Sequence, residues 1–165
     1  WTLEEAAARL RDYASFDLTW IEEPLRADRP LQEWSDLATR SPIPIAGGEN
    51  LNARAEFDAM MQSGVFAFVQ PDVAKWGGVS GCYDIAAAAT GSGTVYCPHF
   101  LGGGIGLAAS AHLLAAQGGN GMLEIDVNPN PLRDEVGGAV LRPREGRLRL
   151  SDLPGIGIAP DLLFS

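Results

Sequence analysis

The stretches QPDVAKWGGVS (residues 70–80) and TVYCPHF (residues 94–100) decide how this chain is read. Asp72 follows the apolar run Val65–Val69, His99 follows the run Thr94–Cys97, and an alanine-rich helical span, Tyr83–Thr90, separates them. The pair reads as a carboxylate that orients an imidazole base. The same pattern extends in both directions. Glu22 in TWIEEP and Glu49 in PIAGGEN precede the pair and Glu124 in MLEID follows it, each at the C-terminal end of an apolar run. From Glu22 through Glu49, Asp72 and His99 to Glu124, the separations are 27, 23, 27 and 25 residues. That repeat is about the length of one strand–helix unit, so five polar groups are expected along one rim of a parallel sheet. On a closed barrel such a rim is where catalytic groups collect.

Working outward, Thr2-Leu-Glu-Glu5 is a capping box that opens a helix to about Tyr13. Phe16–Ile21 reads as a strand closed by Pro24, with Glu22 on the face of Trp20 and Glu23 on the other. Next come a helix over Leu31–Thr39, a strand Ile43–Ala46 and a helix over Ala53–Gln62 capped by Asn52. Beyond His99 a helix over Leu107–Ala116 leads to a fifth strand, Met122–Ile125. Strands alternating with helices argue an α/β fold with a parallel sheet. Asn128-Pro-Asn-Pro131 breaks the pattern. Ala139–Arg142 and Arg147–Leu150 then read as a hairpin, and the apolar tail Ile156–Phe164 must pack on something.

The 165 residues carry 12 basic and 21 acidic side chains, a net charge of −9. With no basic patch, nucleic acid and anionic membrane surfaces are poor partners, and no apolar run is long enough to span a bilayer. Two cysteines, Cys82 and Cys97, are too few for a disulfide scaffold and point to reduced thiols in the cytoplasm. The chain opens at Trp1 directly before a helix, without a signal peptide, and is expected to begin in mid-architecture.

Glu22 and Glu49, with Asp72 near, can hold a hard cation such as Mg²⁺, which takes oxygen ligands. Taken singly, each reads first as a solvated loop acid. A carboxylate on one ring nitrogen of His99 fixes its tautomer and leaves the other nitrogen to take a proton. Lys75 either brings an ammonium toward these acids or lies on the surface. Glu124 pairs with a base or, protonated, donates to a substrate carboxylate. His112, mid-helix among alanines and leucines, reads as structural. Gly104-Ile-Gly106-Leu-Ala-Ala109 matches G-x-G-x-x-A, with Glu124 twenty residues on, and offers a nicotinamide-dependent oxidoreductase as an alternative. The seven residues between Cys97 and Gly104 weigh against it, because the fingerprint wants its first glycine at the strand end.

WIEEP, GGEN, QPDVAKWGGVSG, CPHF and LEIDVNPNP, in this order and spacing, resemble the enolase superfamily, specifically its mandelate racemase subgroup. The resemblance implies the C-terminal part of a modified (β/α)₇β TIM-like barrel. Residues 1–127 would run from the third helix to the eighth strand, and residues 128–165 would form a tail returning to a capping domain. It implies that Glu22 and Glu49 ligate Mg²⁺, that Asp72 and His99 form a general-base dyad, and that Glu124 hydrogen-bonds the substrate carboxylate. Asn50 and Lys75 would stand beside the metal. The implied activity is Mg²⁺-dependent abstraction of the proton α to the carboxylate of a small hydroxy acid. That describes an acid-sugar dehydratase or, by the same chemistry, a racemase or epimerase, working as a homo-oligomer. A first metal ligand on the third strand and a second-strand lysine base would lie outside these residues, and an inactive barrel fragment is the remaining alternative.

Overall fold

Thr2 starts the chain as its capping box requires. Its hydroxyl accepts from the Glu5 amide at 3.3 Å while the Glu5 carboxylate accepts from the Thr2 amide at 2.8 Å. The computed structural model describes residues 1–158. In it, helix α1 (Leu3–Tyr13) buries Ala6, Ala7 and Leu10. Four strands follow, β1 (Ile21–Glu22), β2 (Ile45–Gly47), β3 (Phe68–Val69) and β4 (Val95–Tyr96), pairing in chain order and all parallel. Helices α2 (Leu31–Arg40), α3 (Arg54–Gln62) and α4 (Gly78–Ser92) alternate with them. Helices α5 (Gly104–Gln117) and α6 (Pro131–Gly137) come after β4.

The main core lies between these helices and the sheet, where Trp34, Leu37, Phe57, Ile85 and Leu113 pack with Ile45 and Val69. Removing each such large side chain from water contributes about 1.5–3 kcal/mol. Trp34 meets Phe66 edge-on, with ring centroids 5.6 Å apart. A second, smaller cluster gathers Phe100, Leu107, Ala108 and Leu141, and Leu148, Ile156 and Ile158 from the tail pack against it. The remainder of the apolar tail, residues 159–164, lies outside the described residues. Among the described residues no helix is long and apolar enough to cross a membrane.

Several elements differ from the sequence expectation, each for a local reason. The first strand is confined to Ile21–Glu22, because ladder bonds form only where Ile21 and Glu23 amides meet the Pro44 and Ala46 carbonyls, at 2.9 and 3.0 Å. Ala14–Phe16 is instead a 3₁₀ turn. Ala53, not Asn52, caps α3, since the Glu56 carboxylate reaches back to the amides of both residues. The fifth strand is missing from the described sheet. Residues 121–125 run beside β4, with Gly121 against the Tyr96 carbonyl, but the Met122 amide donates to the Cys97 sulfur at 3.3 Å rather than to a backbone carbonyl. The expected hairpin shrinks to a single bridge between Arg144 and Arg147, because Pro143 has no amide to offer and Gly138–Leu141 turns as a 3₁₀ helix. Finally, α5 begins at Gly104. A Cβ there would lie 2.6 Å from the Gly137 amide nitrogen, and one at Gly106 would meet the Phe100 ring. These glycines admit α6 and an aromatic ring, which removes the basis for the dinucleotide alternative.

Gly104→Ala is therefore expected to destabilise the folded protein by about 1–3 kcal/mol through overpacking. Gly91→Ala, on an open face of α4 with nothing within 4 Å, is expected to stabilise it by about 0.5–1 kcal/mol. Denaturation midpoints of the two variants check this, and equal midpoints would show that α5 and α6 are not tightly apposed. Burial also pushes the Cys82 thiol up to about 12 and raises that of Cys97. Both thiols should stay protonated and resist alkylation at pH 8 until the protein is unfolded, and fast native-state labelling of either would contradict their packing.

Candidate active site

Strand register brings the rim together. An offset of 27 residues pairs Phe68 with Val95 and Val69 with Tyr96, and the same offset pairs Asp72 with His99 in an isolated parallel bridge beyond the strand ends. Both residues are 3% exposed. The Asp72 carboxylate is held from two sides. Oδ1 accepts from the Ala74 amide at 2.7 Å, in the turn that QPDVAK makes, and Oδ2 faces His99 Nδ1 at 2.8 Å. Since a carboxylate accepts, the proton on Nδ1 is fixed there and Nε2 turns to the rim.

Three acids surround the imidazole, two of them at that second nitrogen. Glu49 Oε2 lies 2.6 Å from Nε2 and Glu124 Oε2 lies 3.9 Å away, while Asp72 holds the opposite edge. Burial works against a charged imidazole, yet the Asp72 hydrogen bond and the charges of Glu124, Glu49 and Asp72 together raise the His99 pKa above its ordinary value. Asp72 is displaced the other way. Burial disfavours its charge, but the bonds from His99 and the Ala74 amide, with the charges of His99 and Lys75, hold it below the usual carboxylate range. Burial, reinforced by Glu22 and Glu49 and opposed by His99, raises the Glu124 pKa.

Glu49 is the most heavily contacted of these acids. Asn50 Nδ2 donates to its Oε1 at 3.0 Å and Lys75 Nζ to its Oε2 at 2.8 Å. Gly48, at φ +131°, makes the turn that places it, so close to the Gln70 amide that a Cβ would be 3.1 Å away. Glu22 stands one strand over, its Oε2 accepting from Gln70 Nε2 at 2.9 Å. Glu22, Gln70 and Glu124 line a cavity of about 250 Å³ with Trp20, Cys97 and Leu123, and in it the Gln70 Oε1 and Glu124 Oε2 atoms are buried without a hydrogen-bond partner. Glu22, Glu49, Asn50, Asp72, Lys75, His99 and Glu124 thus lie on one rim, and none of them lines the mostly apolar cavity of about 870 Å³ between α5 and residues 143–150.

Sequence reasoning passed over two residues. Gln70 carried a signal, lying two positions before Asp72 and hence on the same face of an extended run. Glu23, on the face opposite Glu22, leaves the strand at φ +37°, and its carboxylate accepts from the Gly48 amide at 3.3 Å and from Asn50 Nδ2 at 2.7 Å. His112 lies within α5, away from this rim.

The chain is similar to several known proteins. It is 47% identical to a crystal structure of mandelate racemase/muconate lactonizing enzyme from Bordetella bronchiseptica RB50, with a TM-score of 0.91, covering 99% of this chain and 46% of that one. A racemase from Streptomyces coelicolor A3(2), solved with bound magnesium, is 32% identical with a TM-score of 0.64, over 70% of this chain and 31% of that one. Among curated relatives, D-galactarolactone cycloisomerase of Agrobacterium fabrum is 31% identical over 96% of this chain and 44% of its own length. Arabinonate dehydratase of Saccharolobus solfataricus is 32% identical over 95% and 42% respectively. The chain thus spans less than half the length of the relatives it matches. The model of the enolase C-terminal domain-like family matches residues 1–163, and this α/β chain belongs to that family, as the C-terminal barrel portion of a mandelate racemase-type member of the enolase superfamily.

Proposed function

We propose that the protein containing this chain removes the proton α to the carboxylate of a sugar acid and then expels the β-hydroxyl as water, acting as an acid-sugar dehydratase. The observation that carries this reading is the buried imidazole of His99, with Nδ1 clamped by Asp72 at 2.8 Å and Nε2 left at an acid-lined rim. A hydrogen-bonded carboxylate strengthens the base and holds its tautomer through the proton transfer. On arrival the substrate must part Nε2 from Glu49, and Nε2 must first have given up to solvent the proton that their 2.6 Å contact requires. Nε2 takes the α-proton, and His99 returns it to the departing hydroxyl, so that water leaves and the enol formed tautomerises to a 2-keto-3-deoxy acid. Glu124, whose raised pKa favours the protonated form, donates a hydrogen bond to the substrate carboxylate as negative charge builds there. Lys75 shares Glu49 Oε2 with the imidazole and offers that carboxylate a counter-charge once the two part.

A divalent cation fits this donor set. Glu22 and Glu49 offer only oxygen, as Mg²⁺ prefers. Among the described residues no three His, Cys, Asp or Glu side chains form a metal cage, so further donors would come from outside them. When bound, Mg²⁺ would neutralise charge developing on the substrate carboxylate. The magnesium-bound racemase supports the assignment. The tail from residue 128 would pack on the barrel and on a capping domain, its residues 159–165 lying outside the described ones. The cycloisomerase relative favours a second reading, in which the same proton abstraction feeds an isomerisation.

In the full-length protein, His99→Asn is expected to lower α-carbon deuterium wash-in and keto-acid formation from sugar acids about 10²–10⁴-fold while leaving Mg²⁺ binding near normal. Asp72→Asn should act through His99, so the double variant should cost little beyond His99→Asn. Exchange undiminished in folded His99→Asn would exclude His99 as the base. An isomerised product without keto acid would favour the second reading. For the cation, Glu22→Gln or Glu49→Gln should weaken Mg²⁺ binding and abolish turnover, measured by calorimetry and by activity before and after chelation. Full turnover in EDTA would remove the metal from the reaction.

A further inference from the structure

Among the described residues Glu23 is a rim acid that the reaction above leaves without a task, and it sits in a costly conformation. Its backbone lies at φ +37°, a region that L-residues with a side chain rarely occupy. Such positions persist only where their surroundings over-determine them. Here the determinants are visible. Glu23 Oε1 accepts from the Gly48 amide at 3.3 Å, Oε2 accepts from Asn50 Nδ2 at 2.7 Å, and Glu23 N donates to the Ala46 carbonyl at 3.0 Å. All three contacts land on the end of β2 and the turn that delivers Glu49.

Asn50 links the two acids. Its Nδ2 reaches Glu23 Oε2 at 2.7 Å and Glu49 Oε1 at 3.0 Å. Both partners are carboxylates, which only accept, so the amide nitrogen must face them and each of its hydrogens is used. With Asn50 on Oε1 and Lys75 on Oε2, both Glu49 oxygens are aimed by hydrogen bonds. Fixing the Asn50 rotamer is what Glu23 adds.

We infer that Glu23 is a positioning residue for a divalent cation. It holds the Gly48 turn and the Asn50 amide so that Glu49 presents its carboxylate to the ion, without touching the ion itself. The inference rests on reading Glu49 as a ligand. Gln at position 23 keeps the shape but must turn an NH₂ toward one of two donors. Gly suits the positive φ and removes the carboxylate, so it separates turn formation from positioning.

The test is calorimetric titration of MgCl₂ into the full-length protein, with melting temperatures taken in EDTA. Glu23→Gln and Glu23→Gly are each expected to weaken Mg²⁺ binding about 10–100-fold, the range for residues that orient ligands. Their melting temperatures in EDTA should stay close to wild type. Because the effect passes through Asn50, Glu23→Gln combined with Asn50→Ala should bind no worse than Asn50→Ala alone. If both Glu23 variants bind Mg²⁺ as wild type does, or Glu23→Gln only lowers the melting temperature, Glu23 is merely a turn residue and this inference fails alone. Additive losses in the double variant would also overturn it. If the wild type itself binds no Mg²⁺, the metal reading fails and takes this inference with it.

Discussion

The constraint on which the rest depends is the parallel pairing of β3 with β4. Val95 N donates to Ala67 O at 2.9 Å and Cys97 N to Val69 O at 3.0 Å, which fixes the two strands against sliding. Pro71 and Pro98, both fully buried, follow on equivalent strands and restrict the chain to one path out of the sheet. Asp72 and His99 come next on each side and meet in register. Backbone hydrogen bonds made in the apolar core thus determine a side-chain contact made at the rim.

That contact stands in an environment short of positive charge. Glu22, Glu49, Asp72 and Glu124 converge on the rim, with Lys75 and the imidazole the cationic groups touching them. Losing one partner of a buried pair such as Asp72–His99 strands the other, at a cost of about 3–5 kcal/mol. The acids resolve the imbalance unequally. Asp72 takes hydrogen bonds and stays charged, Glu49 collects three donors, and Glu124, with an oxygen buried and unpartnered, holds its proton more firmly. The same kind of chemical group therefore serves in different states, set by what surrounds it.

The rim was legible in the sequence because its spacing is a property of the repeat. Strand ends recur with the strand–helix unit, so Glu22, Glu49, Asp72 and His99 could be placed without coordinates. Helix α1 was legible for a different reason, since a capping box is local chemistry. What escaped depends on neighbours. The strands are shorter than their apolar runs, because a ladder needs a partner carbonyl that composition does not reveal. Alternation separated Glu23 from Glu22, but its bonds to Gly48 and Asn50 depend on a left-handed backbone that the sequence does not announce. The hairpin reading failed at Pro143, where a missing amide ends the pairing after one bridge. The glycines of α5 matched a phosphate-binding pattern, yet their space is filled by α6 and Phe100.

The recurrent spacing along the rim bears on how such a protein can change over generations. The reactive side chains arrive at strand ends, Glu22 as the last paired residue of β1 and Glu49, Asp72 and His99 beyond the pairs of β2, β3 and β4, all outside the main apolar core. A substitution at one tip alters one chemical role while the hydrogen bonds that set the register, and the packing of Trp34, Phe57 and Ile85 below, keep their partners. Reactivity and foldability are thereby encoded by largely separate sets of positions, so drift in the first need not be limited by the second. The exception is the Asp72–His99 pair, whose two members are buried together and must be inherited together.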